Sequence, residues 1–194
     1  MQKGDYLSVI LRSKKTVFTF KDLVLLWGDS GQAARVRASY YVKKGDLYRI
    51  RRGFYAKDKN YNKLELATRI FTPAYISFET VLGRAGITFQ YYSQIFVASY
   101  LKRELEIDGQ IYSYRKIKSV VLTERKGIDN LEEYSMASKE RAFLDTLYIN
   151  KDYYFDNMAP LDWEKVFDIL PIYGSKRMRE RVEELYKHFT TKEK

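Results

Sequence analysis

Four breakers cut the first sixty residues into pieces too short for anything but small helices and a hairpin: Gly28, Ser30, Gly45 and Gly53. A first helix is read over residues 6–11, and the β-branched and aromatic run Thr16-Val17-Phe18-Thr19 reads as a short strand. Thr19 then stands as an N-cap with Asp22 three positions on, a variant of the capping box, and the helix behind it runs to Trp27 and stops at Gly28. Ser30 caps the next helix, over residues 32–44, which ends in Lys43 and Lys44 before Gly45. Ala34, Ala38, Tyr41 and Val42 recur at helical spacing and define its core stripe; Gln32, Arg35, Ser39 and Lys43, flanked by Tyr40, lie opposite. Residues 47–50 and 54–56 flank a basic turn with Gly53, the pattern of a β-hairpin. Helix, helix, turn, helix, hairpin is the order of a helix-turn-helix with a wing.

Charge is distributed in the same way as this pattern. Residues 1–60 hold 14 Lys+Arg against 5 Asp+Glu, whereas residues 61–194 hold 21 against 20, so nearly all of the net +10 sits in the first third. Segregated positive charge is an electrostatic footprint for a polyanion. On a helix sized for the major groove, Arg35 suits a bidentate pair with guanine and Gln32 one with adenine. Ser39 and Tyr40 suit bases or phosphates, while Arg37, Lys43 and Lys44 suit phosphates. Arg49, Arg51 and Arg52 suit the minor groove or its backbone. About six to eight phosphate contacts would make affinity fall steeply with salt.

Beyond a polar junction over residues 57–62, helices are expected over 63–71, 77–84 (capped by Ser77), 138–149 (capped by Ser138), 162–170 (capped by Asp162) and 175–189 (capped by Ser175). Strands are expected over 94–100, 104–107, 111–117 and 119–123, with Asp108-Gly109 as a hairpin turn. The fold class expected is therefore α+β: a winged helix-turn-helix over 1–60, then a mixed α/β domain over 61–194 with an antiparallel sheet flanked by helices.

With no cysteine, the chain can build no disulfide, zinc–thiolate site, iron–sulfur cluster or thiol nucleophile. With a single histidine, His188, next to Lys187 near the end of the last helix, transition-metal chemistry is not expected, nor any catalytic residue, metal or cofactor. Residues 1–5 lack the apolar core of a signal peptide, and no apolar run reaches the roughly 20 residues of a membrane span; a cytoplasmic protein with no membrane partner is expected. Gly174-Ser175 opens like a nucleotidyltransferase motif but continues Lys176-Arg177-Met178, without paired aspartates.

Two alternatives stay open at this stage. One is a module that binds RNA or protein through the same basic face, with Tyr40, Tyr48 and Tyr55 stacking on unpaired bases. The other is a nuclease of the PD-(D/E)xK type, with Asp108, Glu124 and Lys126 around magnesium. Glu140 and Asp145, five residues apart, do not share a helix face well enough for a catalytic pair.

Three stretches resemble the AbiEi family of antitoxins from type IV toxin–antitoxin systems: residues 43–55 (KKGDLYRIRRGFY), residues 75–82 (YISFETVL) followed by Gly86, and residues 138–145 (SKERAFLD). Their order and spacing span nearly the whole chain; Val81 departs from the small alanine expected there. The resemblance implies a non-enzymatic autorepressor in abortive infection, a form of phage defence. Its winged helix would bind double-stranded DNA at inverted repeats upstream of its own operon. Its C-terminal domain would counter a nucleotidyltransferase-like toxin, and whether it touches that toxin directly stays open. Lys102, Arg103, Arg115, Lys116 and Lys118 either extend the DNA-facing surface or form a solvated sheet face balanced by Glu104 and Glu106.

Overall fold

The computed structural model describes residues 5–192. Its first half runs α1 (Asp5–Arg12), β1 (Val17–Thr19), α2 (Phe20–Trp27), α3 (Gly31–Lys44), β2 (Tyr48–Arg51) and β3 (Phe54–Ala56). The local signals in the sequence act as expected. Asp22 N–H donates to Thr19 Oγ1 at 3.1 Å, and Thr19 N–H donates back to Asp22 Oδ2 at 2.8 Å, so the capping box is complete. Ser30 Oγ accepts from Ala33 N–H at 3.3 Å. Gly28 and Gly45 close α2 and α3 with φ of 64° and 83°, backbone that a side chain would strain. The three helices bury Ile10, Leu23, Trp27, Ala34 and Ala38 together with Phe18 and Leu47, and Trp27 Nε1 donates to the Tyr6 carbonyl at 3.0 Å. The strands form an antiparallel sheet in the order β1-β3-β2.

The second half continues with α4 (Lys63–Ile70), β4 (Ala74–Ile76), α5 (Glu79–Arg84), β5 (Ile95–Ser99), β6 (Arg103–Ile107), β7 (Gln110–Lys116), α6 (Ser119–Leu122), β8 (Ile128–Asn130), β9 (Ser135–Ala137), α7 (Lys139–Ile149), α8 (Trp163–Ile169), a 3-10 turn (Leu170–Tyr173) and α9 (Lys176–Lys192). The molecule is thus a mixed α+β protein. Its second sheet, in the order β6-β7-β5-β4-β9-β8, is mixed and not the antiparallel sheet expected. β5 is buried at all five positions and needs a partner on both sides. The β6–β7 hairpin, turned by Asp108 (φ 49°) and Gly109 (φ 71°), places β7 beside β5, where it must run parallel to it; β4 and β9 form the second parallel pair.

Two other expectations are corrected. Residues 119–122 are helical, because Val121 and Leu122 are buried while Ser119 and Val120 face solvent, a helical rather than alternating pattern. Ser77 does not cap α5; Phe78 takes the capping position without a side-chain bond, and Ser77 Oγ turns inward to donate to Asp145 Oδ2 at 2.8 Å. That carboxylate also accepts from Tyr75 OH (3.0 Å), Tyr173 OH (2.7 Å) and Arg141 Nε (3.2 Å). Arg141 is itself fully buried and donates to the Val121 and Lys126 carbonyls. Burial, and then the Asp145 charge, push the Tyr75 and Tyr173 phenols up, so both remain donors.

The expected boundary at residue 60 carries no free linker. Val17, Ile50 and Ala56, on the underside of the small sheet, belong to the same apolar core as Tyr61, Leu66, Ile76 and Tyr114. The buried Glu65 of α4 accepts from Thr16 N–H (2.9 Å), Thr16 Oγ1 (2.7 Å) and Val17 N–H (3.2 Å). Arg69 pairs with both Glu65 and Asp22. At the other end, Tyr48 OH and Tyr61 OH donate to the two oxygens of Asp108 at 3.0 and 2.8 Å. Burial and this carboxylate raise both phenols.

Candidate nucleic-acid interface

The orientation of α3 follows from its core stripe. Ala34 and Ala38 fit where a larger side chain would hold the helix away, with Tyr41 and Val42 packed at the margin. At about 100° per residue, the opposite arc runs through Arg35, Ser39, Gln32, Lys43, Val36, Tyr40 and Ala33, and every one of these is exposed. Gln32, Arg35, Ser39, Tyr40 and Lys43, all assigned to a DNA-facing surface from the sequence, therefore do share one face, with Lys44 at its rim. Among the described residues neither Arg35 nor Lys43 has a carboxylate partner. The Arg35 guanidinium lies 5.6 Å over the Phe20 ring, and Phe20 N–H donates to the Gly53 carbonyl at 2.8 Å. Phe20 thus links the α3 face to the hairpin tip, where Arg52 is exposed. Arg49 is exposed on the edge strand β2, opposite Tyr55, whose ring packs on the three-helix core.

Three expected cations stand apart from this set. Arg37 turns back on the domain: Nε and Nη2 donate to Asp29 at 2.7 and 3.2 Å, and the guanidinium stacks 3.4 Å from the Tyr6 ring centroid. The bond to Asp29, against a smaller opposing effect of burial, raises its pKa and fixes its charge within the fold. Its sequence position, one step off the arc towards the core, explains the difference. Lys44 pairs with Asp46 at 2.9 Å, which raises its pKa. Arg51 follows an irregularity in the β2–β3 register and lies 6.0 Å over Phe54, a ring that packs on the larger core.

Val36 joins the face without having been expected there, and it is 69% exposed near the middle of the arc. The helical phase that marks Ala34 and Ala38 as core also marks Val36 as surface, so the signal for it is present in the sequence.

The residues of the two alternatives are arranged differently. Tyr48 stacks on Tyr61 with centroids 6.4 Å apart and uses its hydroxyl on Asp108, and Tyr55 is half-buried, so of the three proposed stacking rings only Tyr40 is free to meet a base. Asp108 and Glu124 are separated by β7, about 20 Å of extended chain. Glu124 Oε1 accepts from the Arg125 and Lys126 amides, and Lys126 Nζ pairs with Asp168 at 2.6 Å. Among the described residues no group of three His, Cys, Asp or Glu is placed to hold a metal ion, and no helix is long and apolar enough to cross a membrane.

In the second half, Arg115 is held by Glu79 at 2.8 Å and covers the Phe78 and Phe96 rings, whereas Lys102, Arg103, Lys116 and Lys118 are exposed. Glu140 is buried and accepts from the Asp162 amide, and Ser175 caps α9 through Met178 N–H. A groove of about 610 Å³ between α7 and α9 is lined by both signs of charge, among them Lys151, Asp152, Arg177 and Glu184. No protein-family model and no curated protein matches the chain.

Proposed function

We propose that the protein is a sequence-specific repressor of its own operon. Residues 1–60 act as a winged helix-turn-helix, α3 enters the major groove, and the β2–β3 hairpin lies along the neighbouring minor groove or backbone. The observation that carries the reading is the exposed arc of α3, where Arg35 and Lys43 have no carboxylate partner among the described residues and Arg35 neighbours the hairpin tip through Phe20. A folded domain that leaves its surplus cations unpaired on one surface presents a field suited to phosphates. With the likeness to AbiEi antitoxins, the second half takes the role of countering a nucleotidyltransferase-like toxin encoded beside it.

The test is binding to the duplex upstream of the protein's own gene against random duplex of equal length. Specific binding is expected to exceed non-specific binding by at least about a thousandfold. Arg35→Glu, or Arg49→Glu with Arg52→Glu, abolishes the difference while the fold persists. Wild-type affinity in both variants would overturn the assignment of this surface.

A further inference from the structure

The exposed arc of α3 is not uniformly polar. Ordered by helical phase, Arg35, Ser39, Gln32 and Lys43 occupy one side, and Val36, Tyr40 and Ala33 the other. Val36 is the member of the second set next in phase to Lys43, 69% exposed and with its branched side chain outside both apolar cores. A single exposed valine is ordinary on a protein surface. This one, however, stands one turn from Gln32, in the N-terminal half of the helix, where a groove-reading helix meets base edges. Its methyl groups can donate and accept nothing. In the major groove the only apolar feature of any base edge is the C5-methyl of thymine. A valine pressed there against a cytosine amino group or a guanine carbonyl would strip water from a polar edge and return no hydrogen bond. Gln32, one turn earlier on the same arc, has the donor and acceptor that adenine matches.

Resting on the DNA-binding reading above, we infer that Val36 is a specificity-determining residue. It packs on a thymine methyl, so each half-site carries a thymine at a fixed place, within an A·T-containing step read jointly with Gln32. The rest of the α3 face then divides by chemistry: Arg35 faces a guanine or the backbone, Lys43 a phosphate, and Tyr40 the sugar-phosphate edge beyond the thymine.

Uracil provides the test, because it is thymine without the methyl. Duplexes are first selected from a random pool with the wild-type protein. Each thymine of the selected site is then replaced singly by uracil, and affinity is measured for wild type, Val36→Ala and Val36→Thr. One position is expected at which uracil weakens wild-type binding about fourfold, the effect of removing one methyl group from an apolar interface. Val36→Ala should show a similar weakening on the thymine site and no further weakening on the uracil site, with Val36→Thr between them. Because Val36 is exposed, both variants keep the wild-type circular dichroism and melting temperature. If no uracil replacement weakens wild type, or if uracil weakens Val36→Ala as much as wild type at the same position, the inference is overturned while DNA binding stands. If the wild-type protein enriches no duplex at all, the DNA-binding reading fails and the thymine contact with it.

Discussion

Arg35 and Arg141 are the same residue type placed in opposite circumstances, and they divide the molecule. Arg141 is fully buried and directs its donors to Asp145, Tyr75 and two carbonyls. Arg35 is exposed and rests on the face of Phe20. The second half of the chain neutralises cations internally, through Arg115–Glu79 and Arg141–Asp145 in particular, and its overall balance is close to zero. The first half keeps Arg35, Lys43, Arg49 and Arg52 at its surface. Net charge alone does not distinguish a structural arginine from one available to a partner; the presence of a carboxylate within reach does.

This contrast can be broken most severely at its buried end. Asp145→Ala leaves Arg141 charged and uncompensated and removes the acceptor for two tyrosines and Ser77, so chemical denaturation should report a loss of about 3–5 kcal/mol. Within α3 itself, Arg37→Ala should cost about 2 kcal/mol of stability, because it leaves Asp29 without its charged partner. Arg35→Ala, two positions earlier, should change stability by less than about 0.5 kcal/mol but reduce the slope of log affinity against log salt by about one. If the two substitutions exchanged these effects, the division between inward and outward arginines would be wrong. Asp108→Asn keeps a residue that tolerates the left-handed turn but gives Tyr48 and Tyr61 only one acceptor oxygen between them, at about 1 kcal/mol.

The smallest effect is on pH. Burial opposes ionisation of Asp22, but the Thr19 amide and hydroxyl, Arg69 and Lys15 outweigh it and hold the carboxyl below its usual range. A carboxyl depressed in the folded state contributes stability that is complete above its unfolded value, about pH 4, and is lost as pH falls towards the folded value. Thermal melts between about pH 6 and about pH 3 should therefore show a smaller acid-induced decline for Asp22→Asn than for wild type.

Where the chain's structure is decided within a turn or two, the sequence made it legible. The Thr19–Asp22 box, the Ser30, Ser138, Asp162 and Ser175 caps and the Asp108-Gly109 turn are local chemistry, and all lie where their residues indicate. What depended on distant partners was hidden. Ser77 carries the signature of a cap and is instead drawn to Asp145, 68 positions away. β4, β8 and β9 have three residues each and lack the β-branched run that marked β1; β4 is instead placed by pairing with β5 and β9. On α3, the phase of Ala34 and Ala38 was enough to bring Gln32, Arg35, Ser39, Tyr40 and Lys43 to one face and to set Arg37 off it, but the partners that hold Arg37, Asp29 and Tyr6, lie 8 and 31 positions away and were not legible.

The double-sided burial of the small sheet has a mechanical consequence. Its upper surface seals three helices, and its underside is plugged into the neighbouring half by Val17, Ile50 and Ala56. The strands of the hairpin are thus packed on both faces, with Arg52 at the tip and Arg49 on the edge strand left exposed. Any partner that pries at β6–β7, where Asp108 is clasped by Tyr48 and Tyr61, pulls directly on the strand that carries Arg49. Conversely, cutting the chain after residue 60 would uncover Val17, Ile50 and Ala56 to water, so the small sheet and the half it plugs into stand or fall as a single piece.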